Sequence, residues 1–302
     1  MHTHGHHQHP AAASTEDSHG EAFDSERVAA VLEVEGELTA GLAEEAIAVC
    51  SDLFAAERQD VRRIIDLGCG PGVGTTLLAR AFGSATVLAV DGSRAMLERA
   101  EARAARTGHA DRITSLQLDL DDDLQILGRC DLVWAAMAIH HAEDEVATLA
   151  TAGSRLQRGG LLCVLERAAP TSIRLADELG RPGIWDRLVA ARWAWSKSAG
   201  KCLPGAMNAE AYPSMIAEAG LELVDERLLV STVSAPQDAA THAFIARHLA
   251  GTVRDLSSVA EHLDAEALRK LVDTTLPFPA GRWDGAEVTF SRRLFIARSS
   301  IG

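Results

Sequence analysis

Four alternating glycines directly after a short apolar run constrain this chain more than any other feature. The segment at residues 61–76 reads VRRIIDLGCGPGVGTT, and its glycines are Gly68, Gly70, Gly72 and Gly74. Glycine lets the backbone turn sharply and approach a ligand closely, and a helix that follows directs its free N–H groups at that ligand. The segment therefore predicts a strand, a ligand-binding loop and a helix, in that order.

A second apolar run, at residues 86–90, ends in Asp91. In doubly wound sheets an acid in this place hydrogen-bonds the ribose hydroxyls of the ligand. The dinucleotide fingerprint G-x-G-x-x-G does not fit, because Val73 or Thr75 stands where the third glycine is required. Asp66 would also put a carboxylate beside a pyrophosphate, whereas it suits a ligand ammonium group. The loop therefore favours a nucleoside that carries an amino acid.

The centre of the chain alternates short apolar runs with helical patterns. We expect strands at 62–66, 86–90, 112–118, 131–137, 160–166 and 221–233, and helices at 73–82, 94–106 and 142–156. Ser93 is the expected N-cap of the second of these helices. Strands separated by helices of this length require right-handed crossovers, so a doubly wound, mostly parallel α/β sheet follows.

The acid, the alternating glycines and the acid after the next strand resemble the first motifs of class I S-adenosylmethionine-dependent methyltransferases of the small-molecule type. Further segments match in order: an acidic strand end at 116–120, a fourth strand at 131–137 and a Gly-Gly turn into a fifth strand at 159–166. The resemblance covers residues 45–170 well and two later segments loosely. It implies a seven-stranded Rossmann-like methyltransferase fold with N-terminal helices and helical lid insertions.

This resemblance implies S-adenosylmethionine as the cofactor, with S-adenosylhomocysteine as its product. Ligands of such sheets lie beyond the carboxyl ends of the strands, beside the first strand. Asp66, Asp91 and Asp119 all follow expected strands, so we expect the three acids at this edge. The implied cofactor-binding residues are Asp66, Gly68, Cys69, Gly70, Gly72, Asp91, Gly92, Met96, Asp119, Leu120 and Ala136.

Four further residues are candidates for the chemistry. His140 and His141 follow the fourth strand, in a place that resembles the base-bearing segment of small-molecule O-methyltransferases, and an ordinary histidine has a suitable pKa of about 6.5. Paired histidines also occur here in methyltransferases with other acceptors, where they pack or bond the next helix, so both interpretations stay open. Glu166 is expected to face the cleft, as a base or a partner for an acceptor amine. Glu35 is a candidate if the N-terminal helices cross the cofactor site, with a solvated acidic face as the alternative.

The predicted organisation has five parts. They are a disordered His-rich tail (1–22), N-terminal helices over the cofactor site (23–57), the cofactor-binding core (58–170), a helical lid insertion (171–220) and the end of the sheet (221–302) with a second helical insertion at about 236–282. In methyltransferases of this class such insertions commonly build the acceptor pocket. Trp185, Trp193 and Trp195 fall in the first insertion, where core packing and a place beside a flat acceptor are both open.

Composition narrows the range of partners. The formal net charge is −14, from 29 basic and 43 acidic residues, whereas a protein that binds a polyanion usually shows a basic patch. The sequence contains no run of about 18 apolar residues, so no membrane span is predicted. We therefore expect a small-molecule acceptor, with no nucleic acid, no membrane and a cytoplasmic location. The acids at 121–123 are interpreted as a solvated loop and helix start, so no metal site is predicted.

The sequence thus predicts a methyltransferase that uses S-adenosylmethionine on a small metabolite, such as one of secondary metabolism. An aromatic acceptor is implied if a tryptophan lines the pocket. The alternative is a non-catalytic protein that binds S-adenosylmethionine or S-adenosylhomocysteine as a regulator or scaffold. The methylated atom (O, N or C) is left open, and so is a homodimer.

Overall fold

A single seven-stranded sheet organises the chain. The computed structural model describes residues 15–175, 182–198, 209–234, 239–256, 264, 266–267 and 285–299. The strands are β1 (Arg63–Leu67), β2 (Thr86–Asp91), β3 (Ile113–Gln117), β4 (Cys130–Ala136), β5 (Leu156–Arg174), β6 (Leu221–Ser234) and β7 (Glu287–Ser299). Their order is β3-β2-β1-β4-β5-β7-β6; β1 to β5 are parallel, and β7 is antiparallel to both of its neighbours. The predicted doubly wound, mostly parallel sheet is confirmed.

Helices cover both faces of this sheet. They are α1 (Thr15–Leu38), α2 (Ala40–Ala56), α3 (Val73–Ala81), α4 (Arg94–Arg106), α5 (Glu145–Ser154), α6 (Ile184–Ser198), α7 (Tyr212–Glu218) and α8 (Ala239–Leu256). Because successive side chains of a strand point to opposite faces, Ile64 joins the hydrophobic cluster with α2, α3 and α4, while Ile65 joins the cluster with α5 and α7. Within the described residues no helix combines the length and apolar character needed to cross a membrane.

Three parts of the chain differ from the sequence prediction. Residues 15–22, expected in a disordered tail, are helical and belong to α1, while residues 1–14 lie outside the described residues. The fifth strand continues beyond 166 to Arg174, because β7 pairs alongside it as far as Glu287. α7 was expected in the lid insertion, yet its Ile216 packs in the same cluster as Leu149 of α5, so α7 covers the sheet.

The tryptophans of the first predicted insertion are only partly described. Trp185 is buried on α6, in the hydrophobic cluster that contains α8, which supports core packing for this residue. The side chains of Trp193 and Trp195 lie outside the described residues. Much of the second predicted insertion, at 257–263 and 268–284, lies outside them as well.

Gly72 forms the tight junction between the glycine loop and α3. It is the N-cap residue of α3, with a φ of +80°, in the left-handed region that other residues rarely adopt. A Cβ atom at this position would lie 2.7 Å from the Cα and Cβ atoms of Ala100 on α4. Only glycine therefore allows α3 to begin here while α4 packs against it.

We predict that Gly72→Ala lowers the free energy of unfolding by about 2 kcal/mol, because it adds an unfavourable backbone conformation to a steric overlap. Gly41→Ala is the matched control: Gly41 lies in α2, and a Cβ there would meet no atom within 4 Å. That control should be neutral or more stable by about 0.5–1 kcal/mol. Chemical denaturation of both variants measures the difference. Equal effects of the two substitutions would contradict the packing described for Gly72.

Candidate functional site

A cavity of about 700 Å³ lies at the carboxyl ends of β1, β2 and β4, where α1 and α2 form part of its wall. This is the size range of small-molecule and cofactor sites. All of the predicted cofactor-binding and catalytic residues line it except Gly72 and Glu166. The lining residues from that set are Glu35, Asp66, Gly68, Cys69, Gly70, Asp91, Gly92, Met96, Asp119, Leu120, Ala136, His140 and His141.

The glycine loop is fastened to the end of β2. The backbone N–H groups of Gly68 and Cys69 donate to the carbonyl oxygen of Val90, at 2.8 and 2.9 Å. Gly68 has a φ of +71°, and a Cβ there would lie 2.5 Å from the Cβ of Ala138. Burial raises the pKa of the Cys69 thiol, and Asp66 and Asp91 raise it further, so the thiol stays protonated and fills the turn as a small apolar group.

Asp91 holds the loop and the start of α4 together. Its Oδ2 accepts a hydrogen bond from Gly70 N–H at 2.9 Å, and its Oδ1 accepts one from Ser93 N–H at 2.8 Å. Ser93 is the N-cap of α4 as predicted, but its hydroxyl makes no capping hydrogen bond. Each carboxylate oxygen has a second lone pair, so Asp91 can also accept from a pair of ligand hydroxyls.

Asp66 is a buried carboxyl group at the floor of the cavity. Its exposed fraction is 2%, and its Oδ2 accepts a hydrogen bond from the Thr75 hydroxyl at 2.6 Å. Burial raises its pKa to about 7, against the lowering effect of Thr75, and the neighbouring Asp91 adds to the rise. A cation placed beside Asp66 would therefore favour its ionised form.

The acids after β3 have structural partners in their own loop and in the loops after β2 and β4. Asp119 Oδ2 lies 2.8 Å from where a Cβ at Gly92 would be, so the absence of a side chain at Gly92 makes room for this carboxylate. Asp121 accepts from the N–H of Glu143, and Asp122 accepts from the N–H of Asp119. Asp123 caps a short 3₁₀ turn at Leu124–Leu127. This arrangement agrees with the predicted loop and helix start.

His140 is held from behind by Glu166. Its Nδ1 lies 2.8 Å from Oε2 of Glu166, whose exposed fraction is 3%. Glu166 was expected to face the cleft, but it lies beneath His140 and does not line the cavity. A carboxylate here accepts from Nδ1–H, which leaves Nε2 as the imidazole acceptor. The pair thus has the geometry of a base with a positioning carboxylate.

Two neighbours complete the surroundings of this pair. The ring of His141 lies 4.1 Å from the ring of His140, and burial lowers the pKa of His141, helped by His140. The Tyr212 hydroxyl is buried, and its pKa is raised by burial and by the adjacent Glu166 and Glu145 carboxyl groups. An aromatic hydroxyl therefore stays protonated next to the carboxylate that positions His140.

Glu35 projects from α1 towards two arginines on the opposite side of the cavity. Its Oε1 accepts hydrogen bonds from Arg167 at 3.0 Å and from Arg292 at 2.9 Å. Glu33 and Glu37 point elsewhere on the same helix and bind arginines of α4. The alternative of a solvated acidic face therefore does not describe Glu35, whose side chain is only 18% exposed, whereas Glu37 is 58% exposed.

Sequence reasoning missed both arginines as well as Trp134 and Met137, all of which line the cavity. A signal for Arg292 was present, because Val288, Phe290, Arg292 and Leu294 alternate as the buried residues of β7. A charged residue in an apolar phase of a strand indicates a partner or a function. Met137 adopts a φ of +58°, a conformation that no local pattern predicted.

A family model described as a methyltransferase domain matches residues 64–160. This span runs from β1 into β5 and contains the glycine loop, Asp91 and His140. Residues 64–160 are thus similar to a methyltransferase domain, and they lie in a sheet of the order β3-β2-β1-β4-β5-β7-β6. The matched segment is about a third of the chain, and four residues of the site lie outside it: Glu35, Glu166, Arg167 and Arg292.

Curated relatives match the same part of the chain. A trans-aconitate 2-methyltransferase from Deinococcus radiodurans is 34% identical over 102 residues, which are 34% of this chain and 36% of the relative. Another from Methylobacterium radiotolerans is 33% identical over 141 residues, 42% of this chain and 51% of the relative. An uncharacterised Synechococcus protein is 43% identical over 100 residues, 33% of this chain and 24% of the relative. The chain thus spans about a quarter to a half of these relatives.

Solved structures share the fold at low sequence identity. A proposed methyltransferase from Bacillus halodurans aligns with a TM-score of 0.50 and 17% identity, covering 82% of this chain and 98% of that protein. YcgJ from Bacillus subtilis aligns with a TM-score of 0.50 and 16% identity, covering 85% and 99%. At these identities the likeness concerns the arrangement of the sheet and its helices.

The buried carboxyl group of Asp66 gives a pH-dependent stability that can be measured. Its pKa is about 7 in the folded protein against an ordinary 3.8, so the folded state binds the proton more tightly than the unfolded state. This stabilisation is fully present below pH 3.8, the ordinary pKa, and is lost as the pH rises through about 7, the pKa in the folded protein. We predict that Asp66→Asn is more stable than the wild type above pH 7, with a gain that shrinks towards pH 4.

Thermal unfolding from pH 4 to pH 8 tests this prediction. Asp60→Asn is the control, because Asp60 is 78% exposed and pairs with Arg62 at the surface. The control should show no comparable gain with pH. A constant difference between Asp66→Asn and the wild type across this range would contradict the raised pKa.

Proposed function

We propose that this protein is an S-adenosylmethionine-dependent methyltransferase that acts on a small-molecule acceptor. The observation that carries the proposal is the cavity itself. It brings the glycine loop with Asp66 and Asp91 together with the His140–Glu166 pair. The first group suits a nucleoside that carries an amino acid, and the second suits the removal of a proton from an acceptor.

The ammonium group, the ribose and the adenine ring of S-adenosylmethionine have matching residues in the cavity. Asp66 offers a buried carboxyl group, with a pKa of about 7, to an ammonium group. Asp91 offers two carboxylate oxygens to the ribose hydroxyls. Met96, Leu118 and Leu120 give an apolar side to the cavity, which suits the adenine ring. Because a bound cation favours the ionised form of Asp66, we expect binding to release a proton at pH values below 7.

When bound, S-adenosylmethionine supplies a methyl group on a positively charged sulfur. The protein then has to align the acceptor with that methyl group, and positioning of this kind can contribute about 7–11 kcal/mol. His140 would accept the acceptor proton at Nε2, and Glu166 would hold the ring by Nδ1 and stabilise its protonated form. A base is needed most when the acceptor is a hydroxyl, so the His140–Glu166 pair favours an oxygen acceptor over a thiol or a neutral amine.

The acceptor is proposed here only as a small molecule. Relatives named trans-aconitate 2-methyltransferases match a third to a half of the chain, so trans-aconitate belongs in any acceptor panel. A cytoplasmic location and a homodimer stay predictions. Turnover separates this proposal from the non-catalytic alternative: formation of S-adenosylhomocysteine with any acceptor supports the enzyme, whereas binding without turnover across a broad panel favours the regulator or scaffold.

The role of Asp91 predicts the outcome of a binding experiment. Asp91→Ala removes the ribose acceptors and releases Gly70 N–H, so affinity for S-adenosylhomocysteine should fall by about ten- to a hundredfold. Asp111→Ala, in an exposed turn before β3, is the matched control and should leave the affinity unchanged. Isothermal titration calorimetry measures both. Unchanged affinity in Asp91→Ala would remove the main support for the cofactor assignment.

The pair of His140 and Glu166 predicts a kinetic result once an acceptor is found. His140→Gln should lower turnover by about 10²–10⁴-fold, because it removes the base. Glu166→Gln should lower turnover to a smaller extent, because the ring loses the carboxylate that holds it by Nδ1. Both variants should bind S-adenosylhomocysteine like the wild type. His109→Gln, on the turn before β3, should retain full turnover. Full turnover in His140→Gln would show that this histidine only packs.

A further inference from the structure

Two arginines lie directly opposite each other in the antiparallel β5–β7 ladder. Arg167 pairs with Arg292 in register, and their side chains are only 15% and 3% exposed. Like charges directly opposite each other destabilise a strand pair. A buried guanidinium without an anion is also strongly unfavourable. This place in the sheet is therefore stable only with an anion beside the two arginines.

Glu35 of α1 provides an anion at this place. One of its carboxylate oxygens, Oε1, accepts from both Arg167 and Arg292. Burial opposes its ionisation, but the two arginines outweigh that effect and hold the pKa of Glu35 below its ordinary value. Burial, together with Arg167, lowers the pKa of Arg292 to about 10, against the effect of Glu35. A carboxylate is thus the group that this pair of guanidinium groups already binds.

The attachment of α1 does not depend on Glu35 alone. Glu33 binds Arg99 and Arg103 of α4 at 2.7 Å, and Glu37 binds Arg103 at 2.6 Å. These ion pairs join α1 to α4 and involve neither β5 nor β7. Glu35 can therefore leave the two arginines while the same helix stays attached to the domain.

The position of the pair assigns it to the acceptor. Glu35, Arg167 and Arg292 line the same cavity as His140, and both arginines belong to β5 and β7, whereas the glycine loop and Asp91 belong to β1 and β2. β4, which ends just before His140, is the neighbour of β5 in the sheet. An anion at the arginines would hence lie on the same side of the cavity as the proposed base.

We propose that Arg167 and Arg292 bind a carboxylate group of the acceptor, and that Glu35 occupies this position until the acceptor replaces it. The acceptor would then be a small carboxylic acid. This inference rests on the proposed function for the reaction, but the binding step requires no turnover. Planar guanidinium groups match carboxylates and phosphates alike, and the carboxylate of Glu35 favours the first of these.

Calorimetry with two matched pairs of probes tests this subsite. The protein is first saturated with S-adenosylhomocysteine, and its affinity for that ligand is recorded for every variant. Succinate and benzoate are then titrated beside their uncharged amides, succinamide and benzamide, at constant ionic strength. We expect binding of at least one acid and at least tenfold weaker binding of its amide. Inorganic phosphate is titrated in parallel, and tighter binding of phosphate than of either acid would overturn the carboxylate assignment.

Substitutions of Glu35 and of the two arginines should change the affinity for the acid in opposite directions. Glu35→Gln should tighten binding of the acid several-fold, because a competing carboxylate is removed. Arg292→Gln and Arg167→Gln should each weaken it by at least tenfold. Glu37→Gln, a substitution of the same kind on the same helix, should leave it unchanged. Circular dichroism checks folding, and if Arg292→Gln does not fold, the less buried Arg167→Gln decides.

Besides tighter binding of phosphate, three results would overturn the proposal. They are equal binding of acids and amides, a weaker or unchanged acid affinity in Glu35→Gln, and a loss of S-adenosylhomocysteine rather than acid binding in the arginine variants. The last would assign the pair to the cofactor's own carboxylate. If the wild type binds no S-adenosylhomocysteine, the proposed function fails, while the same acid titrations on the unloaded protein still test the subsite.

Discussion

The hydrogen bond from Gly70 N–H to Asp91 fixes the geometry on which the rest of the site depends. It joins the loop after β1 to the end of β2, and the same carboxylate also accepts from Ser93 N–H at the start of α4. The loop, the second strand and the fourth helix therefore have one common anchor. Because Gly68 and Cys69 are bonded to Val90 as well, the loop keeps its shape before any ligand arrives.

The half of the site beside β1 and β2 could be predicted from the sequence. Its residues follow their strands within a few positions, and parallel strands bring their carboxyl ends to one edge. Asp66, Asp91 and Asp119 therefore met at the expected place. The positive φ values of Gly68, Gly70 and Gly72 are the physical reason for the spacing that first marked this segment.

The other half depends on contacts between distant parts of the chain, which local patterns cannot predict. Arg292 meets Glu35 across 257 positions, and their meeting requires β7 to insert between β5 and β6. The same pairing extends β5 beyond the predicted end at 166. Glu166 was expected in the cleft from its place at a strand end, but only the final position of His140 decides which of the two faces the ligand.

The two halves have different kinds of electrostatics. On the cofactor side, carboxyl groups favour a cation, and the buried Asp66 has a pKa of about 7. On the β5–β7 side, two arginines share one carboxylate from a helix that is separately attached to α4. The strand order separates the acids after β1 and β2 from the arginines of β5 and β7, and His140 follows β4, which lies between them.

A crystal structure with S-adenosylhomocysteine bound is the most direct test of the central claim. The account predicts the ribose hydroxyls within hydrogen-bond distance of Asp91, the amino group beside Asp66 and the sulfur on the side of the cavity that His140 lines. A nucleoside bound elsewhere, or a ribose that makes no contact with Asp91, would contradict it.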